Sequence, residues 1–268
     1  TEMCRAIKEW DYAGKYERLL GDIQKTLRLH YVQRDGSLRY KKQGDYLIAL
    51  ACGMFEGDRE EAAMAFLERK MTEKGYVRWF GGTATTPYLL PTLKRLGKTT
   101  LANRFLTSER YPSIGYMGKM GYDTIWERWD GVREDGSLHP QSMNALCHEG
   151  YAVAGAYLVF GLAGIDTLCG GFKNILIHPG VSEEIRECSC TYESAYGEIS
   201  VDWKWRGGLF EIVFKIPCNT SAKLILPCTE AGSLQTIEGT ALDVVYGKEK
   251  VTAGVLSGKY HFRTKLSG

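Results

Sequence analysis

Apolar positions along this chain recur with two different periods, and the change falls near residue 168. Before it the spacing is helical. Residues 2–31 read as a helical stretch, broken near Gly14 or Gly21 and stopped by Asp35-Gly36. Residues 46–55 are apolar nearly all round, which predicts a helix buried on every side, with Asp45 as its cap. Asp58 followed by Glu61 has the form of a capping box opening a helix over 59–71. Ala62, Ala63, Phe66 and Leu67 would form its inward stripe. Residues 87–96 and 99–106 predict a helical pair joined at Gly97-Lys98, and 143–163 a last helix. Alternation of fully apolar and one-sided helices suits stacked hairpins with an inner ring buried and an outer ring in water. That is the pattern of an α/α toroid, and other helical arrays share it. Residues 75–86 and 109–141 are left as long loops able to build a cleft at one end.

After Gly170-Gly171 the period becomes two. Ile199, Val201, Trp203 and Trp205 alternate with Glu198, Ser200, Asp202 and Lys204. Arg206-Gly207-Gly208 reads as a turn, and Phe210, Ile212, Phe214 and Ile216 return on one face. Further strands are predicted at 175–177, 222–226, 244–246, 251–256 and 260–263, so this region reads as an antiparallel β-sandwich. The expected division is 1–168 helical and 169–268 β. No internal repeat is expected.

Composition narrows the function. A formal net charge of +2 over 268 residues, without a Lys/Arg stripe, excludes a nucleic-acid surface. The longest apolar run, 150–165, is shorter than the roughly 20 residues that span a bilayer, so no membrane role is expected. Residues 1–10 hold no apolar signal-peptide core, and the chain reads as part of a longer one, which leaves its compartment open. The 8 cysteines form no C-x-x-C pair and no zinc spacing. Cys188 and Cys190 share one side of a strand. Scattered thiols favour a reducing compartment such as the cytoplasm. Neither a metal nor another cofactor is expected.

The candidate chemistry sits in Thr124-Ile125-Trp126-Glu127-Arg128-Trp129-Asp130. Two indoles offer flat apolar faces of the kind sugar rings stack on. A carboxylate between them is partly desolvated, which suits proton transfer. The same letters also fit a surface helix turn in which Glu127 pairs with Arg128. The surrounding glycines, Pro112 and three tyrosines favour a long loop, and such loops often carry function.

Several stretches, in order, resemble the C-terminal half of bacterial α-L-rhamnosidases of the inverting glycoside hydrolase type. Thr86-Pro87-Tyr88-Leu89-Leu90-Pro91 is similar to that family's loop-helix junction. Tyr111-Pro112-Ser113-Ile114-Gly115-Tyr116-Met117 and Met143-Asn144-Ala145-Leu146-Cys147-His148 resemble two more of its motifs. Residues 124–130 match its Thr-Ile-Trp-Glu-Arg-Trp-Asp without change, and Tyr192-Glu193-Ser194 resembles the start of its appended sandwich. The resemblance implies part of an (α/α)6 barrel followed by a β-sandwich, acting on rhamnose-containing glycosides or polysaccharides. It implies Glu127 as the general base and His148 as a sugar ligand. The residues themselves agree, with Arg128 beside Glu127, Trp126 or Trp129 shaping the pocket, and Trp79, next to Gly81-Gly82, expected to line the cleft. The family's general-acid motif has no match here, so the isolated chain is expected to be inactive. Ala145, Cys147 and Thr85 depart from the family pattern. Two readings compete: a non-catalytic sugar-binding module, and another toroid enzyme such as a lyase or an epimerase. The five scattered histidines fit the epimerase poorly.

Overall fold

The computed structural model describes residues 1–240 and 243–267. Contacts divide the chain into two compact units, 1–92 and 93–268.

The first unit is helical. α1 (Glu2–Ala6) and α2 (Trp10–Tyr31) are separated at residues 7–9, where Lys8 takes φ 64°, so the break precedes both glycines expected to cause it. α3 (Gln43–Ala51) buries Tyr46, Leu47, Ala49 and Leu50. Asp45 sits inside its first turn and accepts the Lys42 N–H at 3.2 Å. α4 (Asp58–Thr72) starts from Gly57 at φ 54°, a left-handed conformation that glycine adopts without strain. The expected capping box is therefore not formed. Asp58 and Glu61 lie in the first turn, where carboxylates complement the helix dipole. The buried stripe of α4 is Ala63, Met64, Leu67 and Met71, and Ala62 is exposed. Tyr46 and Phe66 stack between α3 and α4 with centroids 4.0 Å apart. Arg28 and Gln24 of α2 satisfy the carbonyls after α3, with Arg28 donating to Met54 and Gly53 and Gln24 to Cys52.

α5 (Leu89–Arg95) carries the chain into the second unit, where α6 (Thr99–Thr107) follows. The stretch expected to be one loop holds a further helix, α7 (Ile114–Lys119). Ser113 caps it by accepting the Tyr116 N–H at 3.0 Å. Gly115 permits the turn, because a Cβ there would lie 2.4 Å from the Ser108 carbonyl oxygen. The last helix is much shorter than 143–163. It begins with a 3-10 turn (Glu149–Tyr151), continues as α8 (Val153–Tyr157) and ends as a π-helix (Leu158–Ala163). Residues 145–148 are diverted because their backbone groups bond to 125–127.

The β region is built on two long strands, β5 (Leu209–Pro227) and β8 (Lys250–Lys265). They pair antiparallel from end to end, with a register shift between Ile216 and Ser221. Each therefore joins two segments that the periodicity separates. β4 (Gly197–Arg206) and then β3 (Glu187–Ser194) extend the first half of β5. β2 (Asn174–Ile177) and then β1 (Ile165–Thr167) extend its second half. β6 (Gln235–Glu238) and β7 (Val244–Gly247) pair with β8. One pairing departs from the antiparallel expectation: β2 runs parallel to β5, reached by a crossover through β3 and β4. Trp203 and Trp205 are buried, as their alternation implies, and Trp203 Nε1 donates to the Leu162 carbonyl oxygen at the end of the π-helix.

An internal repeat is present, contrary to expectation. Residues 32–38 and 132–138 share the pattern V-x-x-D-G-S-L, and each closes a short antiparallel bridge, Val32 with Leu38 and Val132 with Leu138. In both, the Asp carboxylate (Asp35, Asp135) accepts the N–H of the serine two residues on at 2.9 Å. Gly36 and Gly136 take φ 82° and 80°, the glycine position of a hairpin with a bulged turn. The shared letters are few and 100 residues apart, so only the matching hydrogen bonds make the repeat obvious.

Candidate active site

The loop carrying Glu127 is held by a two-rung ladder. The Glu127 N–H donates to the Ala145 carbonyl oxygen, and the His148 N–H to that of Ile125, both at 2.8 Å. Thr124 Oγ1 adds a bond to the Leu146 carbonyl oxygen. Glu127 and His148 are thereby brought from 21 residues apart in sequence onto facing segments. The Glu127 carboxylate is half-buried, and its Oε2 accepts the Ala145 N–H at 3.1 Å. This bond orients the group without engaging its other oxygen.

His148 is half-buried and precedes the 3-10 turn. Its Nδ1 accepts the Gly150 N–H at 3.0 Å. In the neutral ring the proton therefore sits on Nε2, which is a donor. The expected long helix is absent at this position, and His148 caps its shortened successor.

Arg128 does not pair with Glu127. Its Nε donates to Asp130 Oδ1 at 2.6 Å and its Nη2 to Asp130 Oδ2 at 3.2 Å, a bidentate fork. His139 Nε2 stands 3.4 Å from Asp130 Oδ2. Burial pushes the Asp130 carboxyl up, but the hydrogen bonds and charge of Arg128, helped by His139, outweigh it and hold the group below its ordinary value. His139, which sequence reasoning passed over, ends the second repeat hairpin, and its N–H donates to the Gly131 carbonyl oxygen at 2.8 Å.

The indoles are not an open stacking surface. Trp126 is 0% exposed and Trp129 5%. Trp129 stacks on Tyr151 with centroids 4.2 Å apart and meets Phe105 edge-on. Trp126 meets Tyr122 and Tyr116 edge-on, and its Nε1 has no protein partner among the described residues. Burying two indoles is worth more than exposing them, so they turn inward and leave Glu127 and Arg128 on the accessible side of the loop. Trp79, in the first unit, is likewise buried, and its Nε1 donates to Thr86 Oγ1 at 2.8 Å. Its ring fills the space a Gly81 Cβ would occupy, which makes it packing rather than cleft lining. Among the described residues, no cluster of three or more His, Cys, Asp or Glu is placed to hold a metal ion. No described helix is long and apolar enough to cross a membrane.

Residues 1–160 match the family model of the bacterial alpha-L-rhamnosidase 6 hairpin glycosidase domain, and 164–241 match that of the bacterial alpha-L-rhamnosidase C-terminal domain. An alpha-L-rhamnosidase of Streptomyces avermitilis is 30% identical over 250 residues, covering 93% of this chain and 24% of the relative. One from Formosa agariphila is 30% identical over 232 residues, covering 84% of this chain and 25% of the relative. This chain thus spans about a quarter of the length of these relatives. Among solved structures, the Streptomyces avermitilis alpha-L-rhamnosidase complexed with L-rhamnose superposes with a TM-score of 0.86 at 29% identity, over 94% of this chain and 24% of that one. The alpha-L-rhamnosidase of Dictyoglumus thermophilum shares the fold, with a TM-score of 0.86 at 19% identity over 98% of this chain and 30% of that one. The unchanged Trp-Glu-Arg-Trp-Asp motif, its ladder to the His148 segment and a family model matching more than half of the residues agree: this chain belongs to the bacterial alpha-L-rhamnosidase family.

Proposed function

We propose that this chain supplies the water-activating side of a site that hydrolyses terminal α-L-rhamnosyl linkages with inversion. The observation that carries the reading is the Glu127 carboxylate. One oxygen is held by the Ala145 N–H and the other is left to polarise a water, on a loop paired to the segment that bears His148. Glu127 is the general base. His148, with Nδ1 taken by Gly150, donates from Nε2 to a sugar hydroxyl. Arg128, locked to Asp130, stiffens the loop, and Trp126 and Trp129 support it from beneath, so these three contribute to the pocket through shape. Trp79 acts only by packing.

Inversion needs a second carboxyl roughly 6.5–9.5 Å from the base, on the opposite face of the sugar ring. The family's acid-bearing motif has no match in this sequence, and we assign the general acid to residues outside these 268. In this reading 1–168 belong to the barrel and 169–268 to the β domain, except that β1 (Ile165–Thr167) already pairs into the sheet, which moves the boundary a few residues earlier. The substrate class is rhamnose-containing glycosides or polysaccharides.

The test is hydrolysis of an aryl α-L-rhamnoside by a longer rhamnosidase that carries this sequence. Glu127→Gln is expected to lower kcat by about 10²–10⁴-fold while unfolding is unchanged. Full activity in that variant refutes the base assignment. Turnover by the 268-residue chain alone refutes the external acid. Rhamnose binding without activity in the longer protein favours a sugar-binding module instead.

A further inference from the structure

The first unit contains a groove that the rhamnoside reading leaves unused. Its volume is about 640 Å³, and it lies at the N-terminal end of α3. Leu27, Ile48 and Met54 form an apolar wall. Tyr40 and Phe80 stand at its edge, 52% and 51% exposed, and the Tyr31 ring lies 6.2 Å from that of Tyr40. Exposed rings beside a preformed concavity offer apolar faces to the C–H side of a pyranose.

The rim has an excess of positive charge. Lys41, Lys42, Lys70 and Arg78 line it against only Asp45 and Glu73. Both acids are engaged: Glu73 accepts from Lys70 Nζ at 3.0 Å, and Asp45 accepts the Lys42 N–H. The Arg78 guanidinium rests 4.1 Å over the Phe80 ring. Asp35 is near enough to Lys41 to feel its charge, but its carboxylate is bonded to Ser37. The walls are tied together by the Gln43 amide, which donates to the Lys70 and Arg78 carbonyl oxygens and accepts the Phe80 N–H at 2.8 Å. One amide making three bonds leaves the groove preorganised.

The repeated hairpin supplies a separate argument. Its first copy frames this groove, with Leu38 and the flanking Tyr31 and Tyr40 lining it. Its second copy ends at His139, against the Asp130–Arg128 pair of the Glu127 loop. The chain uses one loop design twice, beside its candidate catalytic loop and beside the groove.

The geometry points to the groove as a second carbohydrate site, for a carboxylate-bearing sugar unit. Tyr40 and Phe80 contact its ring face, and Lys41 and Lys42 pair with its carboxylate. The inference borrows from the proposed function only the class of ligand.

The test is an NMR titration of the 268-residue chain with methyl β-D-glucuronoside, using methyl β-D-glucoside and acetate as controls. The uronoside is expected to shift Tyr40 and Phe80 resonances and to bind about tenfold or more tighter than either control. The double variant Lys41→Gln/Lys42→Gln is expected to lose that advantage. Gly82→Phe is expected to block the groove, because Gly82 lines it, has no positive φ and has nothing within 4 Å of an added Cβ. Thermal unfolding checks that the variants fold, and the two lysine changes, at exposed positions, keep the test alive if Gly82→Phe does not. No response to the uronoside, or equal binding of the glucoside or of acetate, overturns the inference. L-Rhamnose titrated in parallel reads the Glu127 and His148 resonances. A rhamnose response without a uronoside response strikes this inference alone, whereas a uronoside response together with full rhamnosidase activity of Glu127→Gln in the longer protein strikes the proposed function alone.

Discussion

Acidification from pH 7 to pH 4.5 is expected to destabilise the second unit through His178. This residue follows β2, and its N–H donates to the Gly164 carbonyl oxygen at 2.8 Å. Burial of the ring, then the positive charges of Lys94 and Lys250, push its pKa down to about 4, against an opposing pull from Asp166. In the unfolded chain the ring returns to about 6.5. The folded state therefore binds a proton less readily than the unfolded one. The stabilisation is fully present above about pH 6.5 and is lost as the pH falls from there toward 4. A displacement of about 2.5 pH units at 1.36 kcal/mol each sets an upper value of about 3 kcal/mol. The ring keeps some solvent access, so the expected loss is about 1–3 kcal/mol. The assay is urea unfolding followed by tryptophan fluorescence at several pH values from 7 to 4.5, for the parent chain and for His178→Gln. Carboxylates held below their ordinary range, such as Asp130 and Glu211, lose their contribution mainly at lower pH and are common to both proteins. The parent should therefore fall faster than the variant between pH 6.5 and 4.5. Equal slopes over that window would refute the reasoning.

Asn103→Ala is expected to cost about 2–4 kcal/mol, because Asn103 is fully buried and its Nδ2 donates to the Gly180 carbonyl oxygen at 2.8 Å and to Ser182 Oγ at 2.9 Å. Urea unfolding measures it, and a loss under about 0.5 kcal/mol would mean these bonds add little. Arg128→Lys is expected to cost about 1–2 kcal/mol, since an ammonium cannot reproduce the two-pronged contact with Asp130. An unchanged unfolding midpoint would show that a single positive charge suffices there.

The local part of the fold is legible in the chain. Ile199, Val201, Trp203 and Trp205 alternate with polar residues, and the strand they form buries those four. The apolar stretch around Leu47 and Leu50 is a helix that buries Tyr46, Leu47, Ala49 and Leu50, but it ends at Ala51 and is not buried on every side, since Ile48 is half-buried and lines the groove. Periodicity is less informative where backbone groups choose a distant partner. Residues 143–148 have helical letters, yet the Ala145 and His148 backbones bond to residues 125–127 and the helix starts later. The strand pairs 210–216 with 222–226 and 251–256 with 260–263 read as separate because Gly258 and the irregular stretch after Ile216 interrupt the alternation. Pairing carries β5 and β8 through both interruptions.

The candidate site divides in the same way. The sequence determined the residue set: Glu127 and His148 stand in motifs read without coordinates. Tertiary structure decided their working environment. It turned Trp126 and Trp129 inward, gave Arg128 to Asp130 and the Glu127 carboxylate to the Ala145 N–H, and set one repeated hairpin beside the Glu127 loop and another beside the first-unit groove. The physical reason is one of range. Helical and strand periods express contacts between near neighbours, which the chain spells out in order. Burial and hydrogen-bond partnership are settled by competition among groups many residues apart, and that competition is resolved only when the whole chain has packed.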